Sequence, residues 1–199
     1  MIQFSKLTAL LDACVLYPAP IRDLLLYLAD AGLYMPKWTD IIHEEWTQNL
    51  LLNRLYITAD QLLRTTKAMN VAFPDATIRH YETLSNSINL PDPDDHHILA
   101  AAIRGQAQVI VTANLKDFPN DYLSQFDIEA QHPFDIEAQH PDEFITYLLE
   151  LNPEEVLQAF QAQVANLKNP PKTAQEVIQT LRKTGLGKTA DGLMLLLPE

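Results

Sequence analysis

Apolar positions along this chain alternate between two periods. Residues 7–17, "LTALLDACVLY", form a short apolar run broken only by Asp12, the pattern of a buried strand. Residues 18–33 open on Pro, place Leu at 24, 25, 28 and 33, and close near Gly32, which predicts a helix. A second short strand is expected over 32–36. Helical spacing returns over 39–55, where Thr39 precedes Ile42, Trp46 and Leu50. It returns again over 58–74, where Thr58 and Gln61 have the spacing of a capping box. Residues 75–90 are ambiguous between the two periods. The spacing then predicts a helix over 94–105 ended by Gly105, a buried β-branched strand over 108–114, and a turn with a short helix over 117–126. A last strand is expected at "DIEA", 127–130.

Strands alternating with helices argue for an α/β fold with a parallel sheet covered on both faces. After residue 142 the pattern is wholly helical, with "KNPPK" at 168–172 separating two of the helices. This divides the chain into a domain at 7–151 and a helical extension at 152–199. The apolar tail "DGLMLLLPE" is expected to dock within the chain, with a partner surface as the alternative. The octapeptide "FDIEAQHP" occurs twice in tandem, at 126–133 and 134–141. Its period is far below the ~20–50 residues of solenoid repeats. One copy is expected to pair in the sheet and the other to form a surface loop, with exchange of the element between chains as the rival. Asp127, Glu129, Asp135 and Glu137 are therefore poor catalytic candidates.

Composition narrows the class. The 199 residues are 47% hydrophobic and 20% charged with 5 Gly, as in a helix-rich globular protein. No apolar run approaches the ~20 residues of a membrane span, and the N-terminus lacks the features of a signal peptide. The single cysteine, Cys14, allows no internal disulfide, so a reducing cytoplasm is the expected compartment. Net charge is -12, and residues 154–199 are balanced, so the acids are concentrated before them. Such a balance disfavours a nucleic-acid binder unless divalent cations invert the local sign of a carboxylate site.

The acids sit where an α/β sheet binds its ligands. Asp12 lies near the end of the first strand and Asp117 just past the strand at 108–114. Asp92, Asp94 and Asp95 crowd the entrance of the 94–105 helix, and Glu44 and Glu45 lie on the 39–55 helix. Ligands of open α/β sheets bind outside the carboxyl ends of the strands, so these acids can converge there. Oxygen donors of this kind suit Mg²⁺ or Mn²⁺. Asp12 has no ready structural role, because an isolated buried carboxylate is costly. Asp94 is assigned to capping and Asp95 to metal, and Asp92 stays open between the two. Glu45 points partly inward and Glu44 outward. Asp117 also has the placement of a cap for the short helix after it. His96 and His97 are read as solvated first-turn residues, because no further His or Cys stands at zinc spacing. "TGLGKT" at 184–189 fails as a phosphate loop, since Arg182 occupies the position of the first Gly.

Four stretches, "LLDACVLY", "WTDIIHEEW", "PDPDDHHILAAAI" and "VIVTANLKDFP", taken in this order, resemble the successive acidic motifs of PIN-domain ribonucleases. The closest likeness is to the VapC-like toxins of type II toxin–antitoxin pairs. The likeness covers about residues 7–145, and the helical remainder resembles the C-terminal extension of one subgroup. It implies a three-layer α/β/α domain with a central parallel sheet and Mg²⁺- or Mn²⁺-dependent endoribonuclease activity that leaves 5′-phosphate and 3′-hydroxyl ends. It implies a site of Asp12, Glu45, Asp95 and Asp117, all acting as metal ligands, with Glu45 toward a second ion. Glu44 is the alternative register for Glu45, and Asn114, where some members carry an acid, is the alternative to Asp117. Asp92, Thr112 and Asn114 are supporting candidates, and Arg22, Arg104 and Lys116 are candidate phosphate contacts. RNA as substrate, a small basic antitoxin and a homodimer are the implied partners. Two rivals stand beside this reading. A haloacid-dehalogenase phosphatase needs a second Asp where Cys14 stands. An inactive PIN-like binding module would tolerate Asp12→Asn and Asp95→Asn.

Overall fold

The computed structural model describes residues 7–126 and 136–197. In chain order the elements are β1 (Thr8–Leu11), α1 (Ala13–Leu16), α2 (Ala19–Asp30), β2 (Met35–Lys37), α3 (Asp40–Asn53), α4 (Ala59–Ala72) and α5 (Glu82–Ser85). A 3₁₀ turn at Pro93–Asp95 leads into α6 (His96–Arg104), followed by β3 (Val109–Val111) and a 3₁₀ turn at Leu115–Asp117. Then come α7 (Asn120–Leu123), a 3₁₀ turn at Ser124–Phe126, β4 (Glu137–Gln139), α8 (Pro141–Leu151), α9 (Pro153–Asn166), α10 (Ala174–Lys183) and α11 (Gly187–Leu196).

The strands form one parallel sheet in the order β2-β1-β3-β4. Leu10 pairs with Lys37 on one side and Ile110 on the other, and Ile110 pairs with Ala138. Central strands of such a sheet are covered on both faces and read as continuous apolar runs; Ala9, Leu10, Leu11, Val109, Ile110 and Val111 are all buried. The expected α/β class, a central parallel sheet flanked by helices, is the class observed.

The chain separates into two compact units. The first comprises residues up to Tyr17 and Met35–Gln139; the second comprises Pro18–Tyr34 and the chain from His140 onward. Sequence pattern places a division after residue 151, whereas compactness draws α2 and α8 into the second unit. The reason is visible in that unit: α2 packs on α9, and α8 packs on α11 and α9. Tyr34 and Phe144 meet edge to face there, with ring centroids 5.0 Å apart. The Asp142 carboxylate accepts from the backbone N–H groups of Lys188 and Thr189 at 2.9 and 2.8 Å, satisfying two donors at the start of α11. Docking of the apolar tail is partial: Leu193 is fully buried, but Leu195 is 86% exposed.

Several local expectations are met and several are corrected. The Thr39 cap and the Thr58–Gln61 capping box are both present. Gly32 stands at φ 78°, the left-handed conformation that ends α2. A Cβ on Gly105 would come within 2.3 Å of Ile78 Cδ1, so a larger residue here would force the Ile78 side chain to shift. The apolar run 7–17 is not one strand: it breaks at Asp12, whose extended backbone starts the short helix α1. Asp94 does not cap α6. The Asp92 carboxylate accepts from Asp94 N–H at 3.0 Å and opens the 3₁₀ turn instead. The pairing strand β4 belongs to the second "FDIEAQHP" copy; residues 127–133 of the first copy lie outside the described residues.

Candidate metal centre at the carboxyl edge of the sheet

In a sheet of order 2-1-3-4 the chain leaves β1 toward one side and returns as β3 on the other. Ligand crevices of open α/β sheets form at that reversal, beyond the strands' carboxyl ends. Both strands deliver polar residues there. Asp12 N–H still donates to Val111 O at 3.1 Å, and Thr112 N–H to Gln139 O at 3.0 Å, so each residue is held at the last rung of the sheet. Asp12 is only 7% exposed and Thr112 is fully buried.

A short hydrogen-bond chain aims Asp12. Its Oδ2 accepts from Thr112 Oγ1 at 2.7 Å and from Cys14 Sγ at 3.0 Å. Thr112 Oγ1 accepts from Asn114 N–H at 3.0 Å, and Cys14 Sγ accepts from Ala113 N–H at 3.2 Å. Both donors act on one carboxylate oxygen and leave the other able to ligate. Burial of the sulfur and the adjacent Asp12 carboxylate push the Cys14 thiol up to about 12, so it serves here as a protonated donor.

The second half of the site comes from the turns. One carboxylate oxygen from each of Asp92, Asp95 and Asp117 lies within 4.8 Å of the others. Asp117, 8% exposed, ends the 3₁₀ turn after β3, and the Asn114 amide donates to its carboxylate. Burial and the neighbouring carboxylates of Asp12, Asp92 and Asp117 push the Asp95 carboxyl up to about 7. Burial and like charges both disfavour the ionised form here, and a bound cation would relieve both. A donor set made only of carboxylate oxygens fits a hard divalent cation. The residues present therefore fit such an ion.

The other candidates separate on geometry. Glu44 is exposed, while Glu45 is half-buried and accepts from His97 Nε2 at 3.0 Å. Glu45 is not among the three convergent aspartates. Neither histidine is simply solvated, a correction to the sequence reading. His97 pairs with Glu45, and His96 Nε2 accepts from Leu90 N–H at 3.2 Å. Arg104 ends α6, whose start carries Asp95, so about 13 Å of helix separates it from the acids. Arg22 is buried beside Asp23 in the second unit, which removes it as an exposed phosphate contact. Lys116 is exposed next to Asp117. Cys14 and His97 were missed as polar partners because pattern reading treats Cys as apolar and cannot see a contact across 52 residues. The only available signal for Cys14 was its place two residues after a buried Asp.

Residues 8–116 match the family described as PIN domain. The chain belongs to the PIN-domain family. Residues 141–194 match a second family, described as VapC50 C-terminal domain, so this PIN domain is followed by a VapC50-type helical region. A curated relative from Mycobacterium tuberculosis, named "Putative ribonuclease VapC50", is 39% identical over 87 residues, covering 44% of this chain and 47% of that protein. The matched stretch thus spans about half the relative's length. No solved structure matches the chain. The PIN match contains Asp12, Glu45, Asp92, Asp95, Thr112 and Asn114, and stops one residue before Asp117.

Proposed function

We propose that this PIN protein is a divalent-metal-dependent endoribonuclease and the toxin of a toxin–antitoxin pair. The observation that carries the reading is the gathering of Asp92, Asp95 and Asp117 at the sheet edge, with Asp12 close enough to raise the Asp95 carboxyl. The similarity to a protein named as a VapC ribonuclease supports RNA as the substrate and a small antitoxin as the partner. A second copy of the chain is the further partner in this proposal. No described helix is long and apolar enough to cross a membrane.

Asp12, Asp95 and Asp117 are the proposed ligands of Mg²⁺ or Mn²⁺, Asp92 supports them, and Glu45 approaches from α3. When bound, a divalent ion supplies Lewis-acid polarisation of the phosphodiester and acidifies water for in-line attack. The chain's own residues prepare for it. Thr112 and Cys14 hold one oxygen of Asp12, which fixes where the other points. Asn114 holds Asp117 and offsets part of its charge without adding another. Lys116 stands next to Asp117 as a candidate contact for an RNA phosphate.

The test is cleavage of RNA by the purified protein with Mn²⁺, with Mg²⁺ and with EDTA, alongside Asp12→Asn. Cleavage that requires the metal and disappears in the variant is the expected result. Equal cleavage by both proteins rejects the site. No cleavage by the wild type, together with no rise in melting temperature on adding Mn²⁺, favours the inactive binding module.

A further inference from the structure

We propose that His97 is a positioning residue for Glu45, and so for metal uptake at the carboxylate site. The inference rests on the nuclease reading above. His97 lies two residues beyond Asp95 on α6, and Glu45 lies on α3, 52 residues earlier. Nε2 stands 3.0 Å from Glu45 Oε1, with the histidine side chain 14% and the glutamate 37% exposed. A carboxylate only accepts, so Nε2 carries the proton and donates. The other ring nitrogen, Nδ1, is buried without a hydrogen-bond partner among the described residues. The ring therefore has one polar anchor, and Glu45 is that anchor.

The bond joins the helix that begins at the acidic turn to a glutamate that stands outside the group of Asp92, Asp95 and Asp117. A carboxylate held through one oxygen keeps its other oxygen to offer. Without the ring, Glu45 would sample solvent-facing rotamers from the half-exposed surface of α3, as the adjacent Glu44 is placed to do. Partners that orient ligating side chains commonly change metal affinity by about 10–100-fold when removed.

His97→Gln and His97→Met separate positioning from mere stapling of two helices. The two side chains are similar in length and flexibility, but only Gln can donate to Glu45. Each variant, together with Glu45→Gln, is titrated with Mn²⁺ by calorimetry and by melting temperature, and assayed for RNA cleavage against Mn²⁺ concentration. We expect His97→Met to weaken Mn²⁺ binding about tenfold and to move the Mn²⁺ requirement of cleavage to match. His97→Gln should stay near wild type, and His97→Met should add no further loss to Glu45→Gln. The proposal is overturned if His97→Met titrates like wild type, if Gln fails to restore what Met loses, or if the Met and Glu45→Gln losses add independently. A change confined to the melting temperature in EDTA also overturns it, since a staple does only that. Should the wild type bind Mn²⁺ yet cleave no RNA, the nuclease reading fails while the titrations still decide the link between His97 and Glu45.

Discussion

Asn70 and Asp95 each gather polar groups in the first unit, and they gather opposite kinds. Asn70 Oδ1 accepts from Trp38 Nε1 at 2.8 Å and Thr77 Oγ1 at 3.3 Å, with His43 Nε2 also at 3.3 Å. His43 Nδ1 accepts from Trp46 Nε1 at 3.0 Å, which fixes Nε2 as the protonated nitrogen and the donor to Asn70. Each of these donors finds an acceptor, and three of them converge on one oxygen. Asp95 instead faces the carboxylates of Asp12, Asp92 and Asp117. Donors reach its neighbours, from Asp94 N–H to Asp92, the Asn114 amide to Asp117 and Thr112 to Asp12, yet four carboxylates still face one another. A satisfied polar network rigidifies a core, whereas a cluster of a single sign costs stability unless a cation offsets it. The comparison separates a polar group that holds the fold from one that fits the proposed metal site.

The sharpest way to break the comparison is to neutralise its acidic side. Asp95→Asn should lower metal-dependent cleavage by about 10³-fold or more, the loss expected when several kcal/mol of charge stabilisation is removed. The same variant should melt at an unchanged or higher temperature in EDTA, because it relieves repulsion among the acids. A variant that loses activity only because it unfolds would contradict this account, and melting curves recorded beside the assay decide it.

The mirror experiment strikes the satisfied network. Asn70→Ala strands the donors of Trp38 and His43 and should cost about 1–3 kcal/mol of stability, measured by urea unfolding. The rise in melting temperature caused by Mn²⁺ should persist in this variant. Loss of the Mn²⁺ response would mean that the two clusters are coupled rather than separate.

A smaller effect is the pH dependence of stability without metal, where the two clusters pull in opposite directions. The Asp95 carboxyl titrates near 7 in the fold, against about 4 in the unfolded chain. Its contribution is present at low pH and is lost as pH rises through 7. Burial lowers His43 below its ordinary value of 6.5, while Asn70 and Asp40 oppose the shift. Its contribution is present above about 6.5 and is lost as pH falls. Melting temperature in EDTA should therefore rise from pH 8 to 6.5, and Asp95→Asn should flatten that limb. Saturating Mn²⁺ should invert the limb, because the ion needs ionised carboxylates. An unchanged slope with Mn²⁺ would mean that Asp95 does not meet the metal.

Much of this molecule could be read before any coordinates. Short apolar runs alternating with helical spacing pointed to a parallel α/β sheet, since burial of the central strands on both faces leaves no polar face to display. The Thr39 and Thr58 caps were legible because capping is local, a side chain meeting a backbone N–H three residues away. Asp12 and Asp117 were legible as site candidates because strand ends are where such sheets bind ligands.

Three things waited for the tertiary structure. Asp92 rather than Asp94 serves as the cap and also joins the cluster, because backbone dihedrals at three successive acidic or proline residues decide it. Helices α2 and α8 join the second unit because their apolar faces find α9 and α11, a choice between equally apolar surfaces that sequence pattern leaves open. The pairing of Glu45 with His97 and of Asp12 with Thr112 depends on side chains meeting across 52 and 100 residues. Periodicity reports which way a residue faces along its own element. What it meets there is set by how the elements pack, and in this chain that packing decides which acids stand together.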